Sequence, residues 1–425
     1  MIAPGTLPRL MHAAADRPLT LSQHESAFGP AQSSPSLLEE LDASGLTGRG
    51  GAGFPTAQKA QLIREQRGHS KFMVVNAMEG EPAAHKDQTL LSANPHLVID
   101  GAEYLASIVG AKNIAICVAR DNPTVVNHLE RALHERSRRG GRGPRLELHT
   151  PPWRYVAGEE SALIHWLDDN ESLPQYRPRR PHILRIGHSP SLVDNAETCA
   201  NVGLIGRYGA AWYRSLGTSE DPGSTLVSVS GAVDHPTVIE VELGTPLRAI
   251  LDTAGSDPDP LAVLLGGYGG TWLHAKHLDT PYNNAALKNL GVSTGAGVIV
   301  VVPKGACGVA ETQRVVRWMA NESARQCGPC AFGLPSLAEN LAQIARVSRD
   351  AETAYHRLIE RCGVIEGRGA CRHPDGVIRF IRTALDVFAP DFEQHLRGTA
   401  CSGSRATRHY ASVPSLERED ELIWE

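Results

Sequence analysis

At 425 residues the chain exceeds the roughly 250 to 300 residues that one hydrophobic core supports, so two or three domains are expected. Its 42 Lys and Arg against 47 Asp and Glu give a net charge of −5, which excludes a global attraction to nucleic acid. The longest apolar stretch, Val298 to Val302, is far shorter than the about 20 residues that span a bilayer, so we predict no direct membrane insertion. We expect a cytoplasmic protein, at most peripheral to a membrane complex.

The first distinctive stretch is rich in glycine and runs from Gly48 to Pro55, before a segment without helix breakers, Thr56 to Arg67. Glycine permits positive φ and close backbone approach, and proline suits the first position of a helix. Backbone N–H groups and the positive end of a helix dipole would then face an anion, which indicates the phosphate of a nucleotide-type cofactor. The same glycine density also fits a mobile surface loop.

Strand-like and helix-like patterns alternate through the first half of the chain. The predicted strands are Lys71 to Ala77, Asn113 to Ala119 and Leu146 to His149, and helical spacing marks Leu97 to Val109, Val125 to Leu133 and Glu159 to Leu167. Such alternation is typical of an α/β domain with a parallel sheet.

The pattern changes near Ser224, and it changes again near Glu311. The β-like segments Thr225 to Ser230, Val238 to Leu243, Val263 to Leu265 and Val298 to Val302, with a helix at Pro246 to Thr253, predict a small α+β module. Helical patterns at Leu334 to Ala345 and Val377 to Phe388 follow. We predict domains at 1–223, 224–305 and 306–400, and a flexible tail at 401–425.

Eight cysteines in a chain of this length are too few for a disulfide scaffold, but two are spaced as Cys327-Gly328-Pro329-Cys330. In a reducing compartment this spacing indicates a metal or redox site. Cys117, Cys199 and Cys307 lie in apolar surroundings, and we predict that they are structural.

Four separated blocks resemble the flavoprotein (F-type) subunit of NADH:quinone oxidoreductase, respiratory complex I, a family shared with flavoprotein subunits of NAD-linked hydrogenases and formate dehydrogenases. The blocks are Gly45 to Thr56, Asn76 to Pro82 with Lys86-Asp87, Tyr155 to Leu163, and Glu322 to Cys330. The resemblance covers roughly Ser44 to Leu396. It implies a Rossmann-like FMN-binding domain, a ubiquitin-like (β-grasp, SLBB-like) domain and a C-terminal helical bundle that holds a [4Fe-4S] cluster.

Members of this family take a hydride from NADH onto FMN and pass single electrons to the cluster. By resemblance, the FMN phosphate would lie among Gly48, Arg49, Gly50, Gly51, Ala52, Gly53, Lys59, Asn195 and Thr198. Backbone donors, a cation and short side-chain donors suit a dianionic phosphate. The alternative for Lys59 is an exposed helical lysine.

The resemblance also implies residues near the flavin ring and the dinucleotide. Those matching the ring and nicotinamide region are Asn76, Glu79, Tyr155, Gly158 and Glu159, with Glu79 and Glu159 as the predicted catalytic residues; those matching the nucleotide site are Phe54, Glu81, Glu160, Arg177 and Arg180. From the residues alone, Glu159 and Glu160 would be a first-turn pair that complements a helix dipole. Tyr155 would be equally well explained as a core tyrosine.

Two departures from the family pattern concern the flavin and the nucleotide. Met78 stands where the family usually has Asp, and a thioether cannot replace a carboxylate that accepts a hydrogen bond from the flavin ring. Arg180 stands where an aromatic residue usually stacks on adenine, and Arg179 precedes it. Because adjacent guanidinium groups can hold an additional phosphate, we hypothesise a preference for NADPH or another donor, with a decayed pocket as the alternative.

A third departure concerns the cluster. The family motif is Cys-x2-Cys-x2-Cys with a distant fourth cysteine, and here Ala324 replaces the first cysteine while Cys327, Cys330 and Cys371 match the others. A [4Fe-4S] cluster normally takes four thiolates, so an incomplete or three-iron cluster is implied. The missing cluster ligand could come from Cys362, His373 or Cys401. There are two alternatives to an iron–sulfur cluster: the cysteines are buried structural residues, or the three thiolates and His373 bind zinc.

Together these patterns predict an FMN-dependent, NAD(P)H-oxidising electron-transfer subunit. Its expected partner is an electron-accepting iron–sulfur protein or a multisubunit oxidoreductase complex, because the core carries no further ferredoxin-like cysteine set. The alternatives are a catalytically silent scaffold or regulatory subunit, and an FMN module that a protein donor reduces.

Overall fold

The computed structural model of the chain describes residues 9–11, 17–31, 36–67, 70–140, 143–176, 183–405 and 408–414. Its first part contains helices α1 (Leu21–Phe28), α2 (Leu37–Ser44), α3 (Thr56–Arg64), α4 (Lys86–Ala93), α5 (Pro95–Val109), α6 (Pro123–Arg139), α7 (Glu160–Asp169) and α8 (Ala196–Tyr213). The strands of this part are β1 (Lys71–Ala77), β2 (Ala111–Val118), β3 (Arg145–His149), β4 (Leu184–Ile186) and β5 (Ser189–Asn195).

The first sheet has the strand order β3-β2-β1-β5-β4. Strands β3, β2, β1 and β5 run parallel, and the short edge strand β4 is antiparallel to β5. Helices α5 and α8 pack so closely that a Cβ atom at Gly101 would lie only 1.6 Å from the Cys199 carbonyl oxygen. The prediction of an α/β domain with a mainly parallel sheet is therefore confirmed.

A second sheet follows, with strands β6 (Ser224–Gly231), β7 (Thr237–Glu242), β8 (Ala262–Leu265), β9 (Thr271–His274) and β10 (Val298–Val302) and helices α9 (Leu247–Thr253) and α10 (Asn284–Lys288). The strand order is β7-β6-β10-β8-β9, in which the central pair β6–β10 is parallel and the other pairs are antiparallel. This topology is compatible with the predicted ubiquitin-like domain.

The last part is helical, with α11 (Gly308–Asn321), α12 (Leu334–Ala345), α13 (Ala351–Ile365), α14 (His373–Val387) and α15 (Ala389–Leu396). One π-helical turn, Pro329–Gly333, leads directly into α12. The helices pack on the second sheet through Trp272 of β9, whose ring centroid lies 5.3 Å from that of Phe380 and 5.0 Å from that of Phe388.

The described part of the C-terminal segment packs against the helices. Cys401 and Ala411 are buried, and the Ala411 N–H donates to the Glu311 carboxylate on α11 over 3.2 Å. Buried apolar side chains and the Glu311 carboxylate thus contact residues 401–405 and 408–414 of the predicted flexible tail, whose flexibility stays a prediction. Residues 415–425 lie outside the described residues, and the predicted domain boundaries stay predictions. No helix in the described ranges combines the length and apolar character needed to cross a bilayer.

Candidate functional site

Several predicted cofactor residues converge at the point of the first sheet where the order of strand addition reverses. The chain proceeds from β1 to β2 and β3 on one side and later adds β5 on the other, so the switch point, where such sheets form a crevice, lies at the carboxyl ends of β1 and β5. Ligands of open α/β sheets bind at such a switch point. Asn76 of β1 and Asn195 of β5 are register partners there, although they lie far apart in the sequence.

The glycine-rich loop lies against the same crevice. Its base is closed by the Gly48 N–H, which donates to the Phe54 carbonyl over 2.9 Å. The Arg49 N–H donates to Thr198 Oγ1 at 2.9 Å, and a Cβ atom at Gly50 would lie 3.3 Å from the Cβ of Asn195. The loop, Asn195 and Thr198 therefore form one surface, as the sequence predicts.

The loop offers donors that suit a phosphate. Gly51 and Gly53 adopt positive φ of 105° and 62°, and no hydrogen-bond partner is found within the described chain for the amides of Gly50 to Gly53. The buried Arg49 guanidinium donates to the Tyr213 hydroxyl over 3.0 Å, while its Nε has no partner among the described residues. Backbone N–H groups, a buried cation and the start of α3 at Thr56 fit the phosphate end of FMN.

A cavity of about 480 Å³ lies between the glycine-rich loop and the second sheet. It is lined by Thr47, Gly48, Arg49, Gly51, Ala52, Gly53, Glu197, Asp221, Thr225, Leu243, Tyr282, Asn284, Lys288, Ser293, Thr294, Gly295 and Gly297. Asn76, Gly158 and Glu159 are not part of this lining. The cavity is thus on the second-sheet side of the loop, whereas the residues predicted to meet the flavin ring are on the first-sheet side.

Two backbone segments meet in the crevice beside Asn76. The Asn76 side-chain amide donates to the Gly158 carbonyl over 2.8 Å, and a Cβ atom at Gly158 would lie 2.7 Å from the Met78 carbonyl oxygen. Only glycine allows this approach. The Met78 side chain packs in an apolar cluster with Val74 and Leu163, so it offers no acceptor where the family has a carboxylate.

The two predicted catalytic carboxylates cap helices. Glu79 accepts the backbone N–H groups of Asp87 and Gln88 at 3.0 and 3.1 Å, which places it at the start of α4. Burial and the nearby Asp87 carboxylate raise the pKa of Glu79 to about 7. Glu159 accepts the Ser161 N–H at 2.9 Å and is the N-cap of α7. The interpretation of Glu159 and Glu160 as acids that complement a helix dipole agrees with their positions at the start of α7. A catalytic role for Glu79 or Glu159 stays a prediction.

Lys59 is half-buried and paired with acids. Its Nζ lies 2.7 Å from Glu160 Oε1 and 3.6 Å from Asp194 Oδ1. Burial lowers the pKa of Lys59, but the two carboxylates outweigh this effect and raise it. Burial raises the pKa of Asp194 to about 6. Lys59 thus links α3 to the carboxyl end of β5, beside the glycine-rich loop.

A buried ionic cluster at the floor of the crevice was not predicted. Lys86 Nζ lies 2.9 Å from both Asp87 Oδ1 and Glu197 Oε2 and donates to Asn195 Oδ1 at 3.2 Å. Glu197 also accepts the Leu226 N–H at 3.0 Å, which connects the crevice to β6. The Lys86-Asp87 pair is visible as a motif in the sequence, but its partners follow only from the fold.

Glu81, predicted for the nucleotide, contacts the loop after β8, and Tyr155, predicted for the flavin, contacts helix α11. Glu81 accepts the Tyr268 N–H at 2.7 Å, and burial raises the pKa of Glu81 to about 7. The Tyr155 ring packs edge-on against Trp318 and lies 5.4 Å from the His373 ring, as a core tyrosine would.

Of the remaining residues predicted for the nucleotide, Phe54 is the one that the structure describes. Phe54 is 43% exposed, at the end of the glycine-rich loop. Arg177, Arg179 and Arg180 lie outside the described residues. Their role in binding the nucleotide stays a prediction.

The three predicted cluster ligands approach one another beside the π-helical turn. The thiols of Cys327 and Cys371 both contribute, after burial, to raising the pKa of Cys330. Burial raises the pKa of Cys371 to about 11, and the Glu159 carboxylate adds to this rise. Ala324 supplies no ligand. Cys327, Cys330 and Cys371 thus supply three of the four thiolates that a [4Fe-4S] cluster normally takes, and their role as its ligands stays a prediction.

The alternatives for the missing ligand differ in their surroundings. His373 lies 2.9 Å through Nε2 from the Met319 carbonyl, which can only accept, so this ring nitrogen carries the proton. Cys401 lies beside Cys307 and His395. For Cys362, burial raises the pKa of the thiol to about 11.

Comparison with protein families matches this arrangement. Residues 41–219 match the family described as the Nuo51 FMN-binding domain, and residues 310–395 match the NADH-ubiquinone oxidoreductase-F iron–sulfur binding region. The fold and site thus define a flavoprotein with an iron–sulfur region. This confirms the predicted FMN-binding domain and the iron–sulfur region that follows it.

Curated relatives and solved structures place the chain more narrowly. The F subunit of NADH-quinone oxidoreductase in Streptomyces coelicolor is 31% identical, with 86% of this chain and 84% of that protein covered. A second such F subunit, that of Rhizobium meliloti, is 29% identical, with 86% and 90% covered. The chain therefore belongs to the family of NADH-quinone oxidoreductase F subunits.

A solved structure agrees with this placement. The NAD+-reducing [NiFe]-hydrogenase in the H2-reduced state matches with a TM-score of 0.78 at 30% identity, covering 85% of this chain. The chain spans 62% of that hydrogenase chain.

Proposed function

We propose that this protein is an FMN-dependent, NAD(P)H-oxidising electron-transfer subunit that delivers electrons to a partner through an iron–sulfur cluster. The observation that supports it most is the convergence, at one switch point, of the glycine-rich loop, Asn76, Gly158 and Asn195 from four separate segments. Each of these segments contacts another directly. Convergence of this kind is what a cofactor site requires and what a mobile surface loop lacks.

The chain's own groups divide the work of holding the cofactor. The amides of Gly50 to Gly53 and the Arg49 guanidinium would hold the phosphate, and Asn76 and the Gly158 backbone would border the ring. When bound, FMN supplies the conversion from hydride to single-electron chemistry. Cys327, Cys330 and Cys371 would hold the cluster through which electrons leave into the helical bundle.

The nucleotide donor and the partner belong to the same proposal. The curated relatives are named NADH-quinone oxidoreductase subunits, which supports a nicotinamide donor and a multisubunit acceptor. We retain NADPH as the alternative donor because Arg179 and Arg180 replace the family's residues at the adenine position. The domain boundaries at 223 and 305 and the β-grasp assignment are part of this proposal.

A catalytically silent scaffold is the second candidate, and one observation favours it. Met78 is buried in an apolar cluster and Ala324 removes a cluster ligand, so two functional positions have lost their chemistry. The retained glycine-rich loop and three thiols count against this candidate.

The test is the absorption spectrum of the anaerobically purified protein before and after NADH or NADPH. We expect flavin absorbance that one of the two nucleotides bleaches. Flavin that neither nucleotide bleaches, but that a reduced ferredoxin does, would favour the protein-donor version. A colourless protein that does not take up FMN would contradict the proposal and favour the scaffold.

A further inference from the structure

A second group of possible metal ligands lies in the helical part of the protein. Side-chain ligand atoms of Cys307, His395 and Cys401 all lie within 4.8 Å of one another, and all three residues are buried. Among the described residues, no other three His, Cys, Asp or Glu side chains meet this spacing. Cys307 and Cys401 lie outside residues 310–395, which match the iron–sulfur region. The group is therefore distinct from the three-thiol site around Cys330.

The imidazole of His395 is oriented as a metal ligand. Its Nδ1 lies 3.1 Å from the Ile344 carbonyl oxygen, which can only accept, so Nδ1 carries the proton. Its Nε2 accepts the Cys401 N–H at 3.3 Å and lies 3.6 Å from Cys307 Sγ. The unprotonated Nε2 has one lone pair, so a metal ion bound there would replace the Cys401 N–H as its partner. Metal-binding histidines usually donate their second ring N–H to a carbonyl or carboxylate in this way.

The position of Cys307 favours a thiolate once a cation is present. Cys307 is the N-cap of α11, and its Sγ accepts the Ala310 N–H at 3.3 Å. The positive end of a helix dipole stabilises a thiolate.

A carboxylate lies beside these three ligands. Asp391 precedes His395 by one turn of α15, and its Oδ2 accepts the Gly308 N–H at 2.7 Å at the start of α11. A tetrahedral ion with three protein ligands needs one more donor. Because Asp391 is not among the side chains whose ligand atoms lie within 4.8 Å of one another, a water molecule would complete the set.

We propose that Cys307, His395 and Cys401 bind one zinc ion that fastens the C-terminal segment to the helical bundle. Two thiolates and one imidazole are the ligand types that zinc selects, and both thiols lose their protons on binding. The ion would anchor a segment whose Ser412 carbonyl accepts the Tyr268 hydroxyl. Because the Tyr268 N–H in turn donates to Glu81, the anchor extends toward the crevice.

The test is the zinc content of the full chain, purified anaerobically with reductant and measured by mass spectrometry of the metal. We expect about one zinc per chain, falling to below about a tenth in the double variant Cys307→Ser/Cys401→Ser. The matched control is Cys117→Ser/Cys199→Ser, which removes two buried thiols elsewhere and keeps the zinc. The triple variant Cys327→Ser/Cys330→Ser/Cys371→Ser also keeps it, whereas loss of zinc only there would overturn the proposal.

X-ray absorption at the zinc edge of the unmutated protein keeps the proposal testable if the double variant fails to fold. We expect sulfur ligands at about 2.3 Å and an imidazole nitrogen at about 2.0 to 2.1 Å. A zinc site with three sulfur ligands would place the ion at Cys327, Cys330 and Cys371 and contradict the proposal. So would a protein that takes up no zinc, or a Cys307–Cys401 disulfide found by mass spectrometry in the reduced preparation.

Discussion

The crevice at β1 and β5 and the three-thiol site in the bundle differ in how many groups hold the cofactor. The crevice is formed by backbone amides, tight loop contacts at Gly158 and a buried ionic cluster around Lys86, and Met78 is a single change within it. The three-thiol site depends on individual ligands, and Ala324 removes one of four. A site made largely of backbone therefore tolerates sequence divergence better than one made of a few side-chain ligands.

The largest effect is expected from removing one of the three remaining thiols. With Cys330→Ser only two thiolates remain, so iron content should fall to below about a tenth of that of the unmutated protein, while flavin stays bound. Iron and sulfide analysis with flavin absorbance measures both. The control Cys117→Ser changes a buried thiol on β2 and should keep the iron. Equal iron in both variants would show that these thiols hold no cluster.

The crevice should fail only when its backbone contacts are broken. Gly158→Val adds a Cβ that would lie 2.7 Å from the Met78 carbonyl oxygen, and further side-chain atoms beyond it, so the two loops must separate. We expect FMN affinity to fall at least about tenfold, or about 1.4 kcal/mol, in a fluorescence titration. The control Gly363→Ala meets no atom within 4 Å and should leave FMN affinity unchanged. Full affinity in Gly158→Val would move the flavin site elsewhere.

Restoring the missing thiol at position 324 should strengthen iron binding at the three-thiol site. We expect Ala324→Cys to raise iron occupancy or its half-life against a chelator by about two- to tenfold, because a fourth thiolate completes the ligand set. Ala331→Cys adds a thiol at a position outside the motif and is the control. If both variants retain iron equally well, position 324 does not face the cluster.

A smaller effect concerns Glu81, which joins the crevice to the second sheet. Burial raises its pKa from 4.5 to about 7, so the native state binds the proton more tightly than the unfolded state does. The contribution of Glu81 to stability is therefore fully present below pH 4.5 and is lost as pH rises through about 7. Glu81→Gln should raise the free energy of unfolding at pH 8 by on the order of 2 kcal/mol and leave it unchanged at pH 4.

Denaturant unfolding at the two pH values, without flavin, measures this difference. Glu79→Gln is the comparison, because the pKa of Glu79 is also raised to about 7. Glu79 lies beside Lys86 and Asp87, so this substitution also changes the interactions with those two charges. A Glu81→Gln difference that is independent of pH would contradict the raised pKa.

The sequence predicts regular elements well where apolar runs are continuous. The bounds of β1 and β10 agree with prediction, and the end of α3 is at Arg64 rather than Arg67. Strand β5 was missed because Ser189, Pro190 and Ser191 conceal a short buried strand. Yet β5 carries Asn195, so the resemblance to the family located a site residue that the pattern of the strand did not.

Pairings between distant segments could not be predicted from the residues. Lys86 and Glu197 become partners only because α4 and α8 meet beneath the crevice. The sequence predicts a structural Cys307 and places Cys401 in a flexible tail, since nothing local indicates that His395 lies close to both. Long-range packing decides such contacts.

A comparison of FMN with riboflavin shows whether the crevice holds the flavin by its phosphate at the glycine-rich loop. Fluorescence titration of the flavin-free protein should show FMN binding at least about tenfold more tightly, because only FMN offers a dianion to the loop amides and Arg49. Equal affinity for the two flavins, or no binding of either, would contradict a phosphate site at this loop.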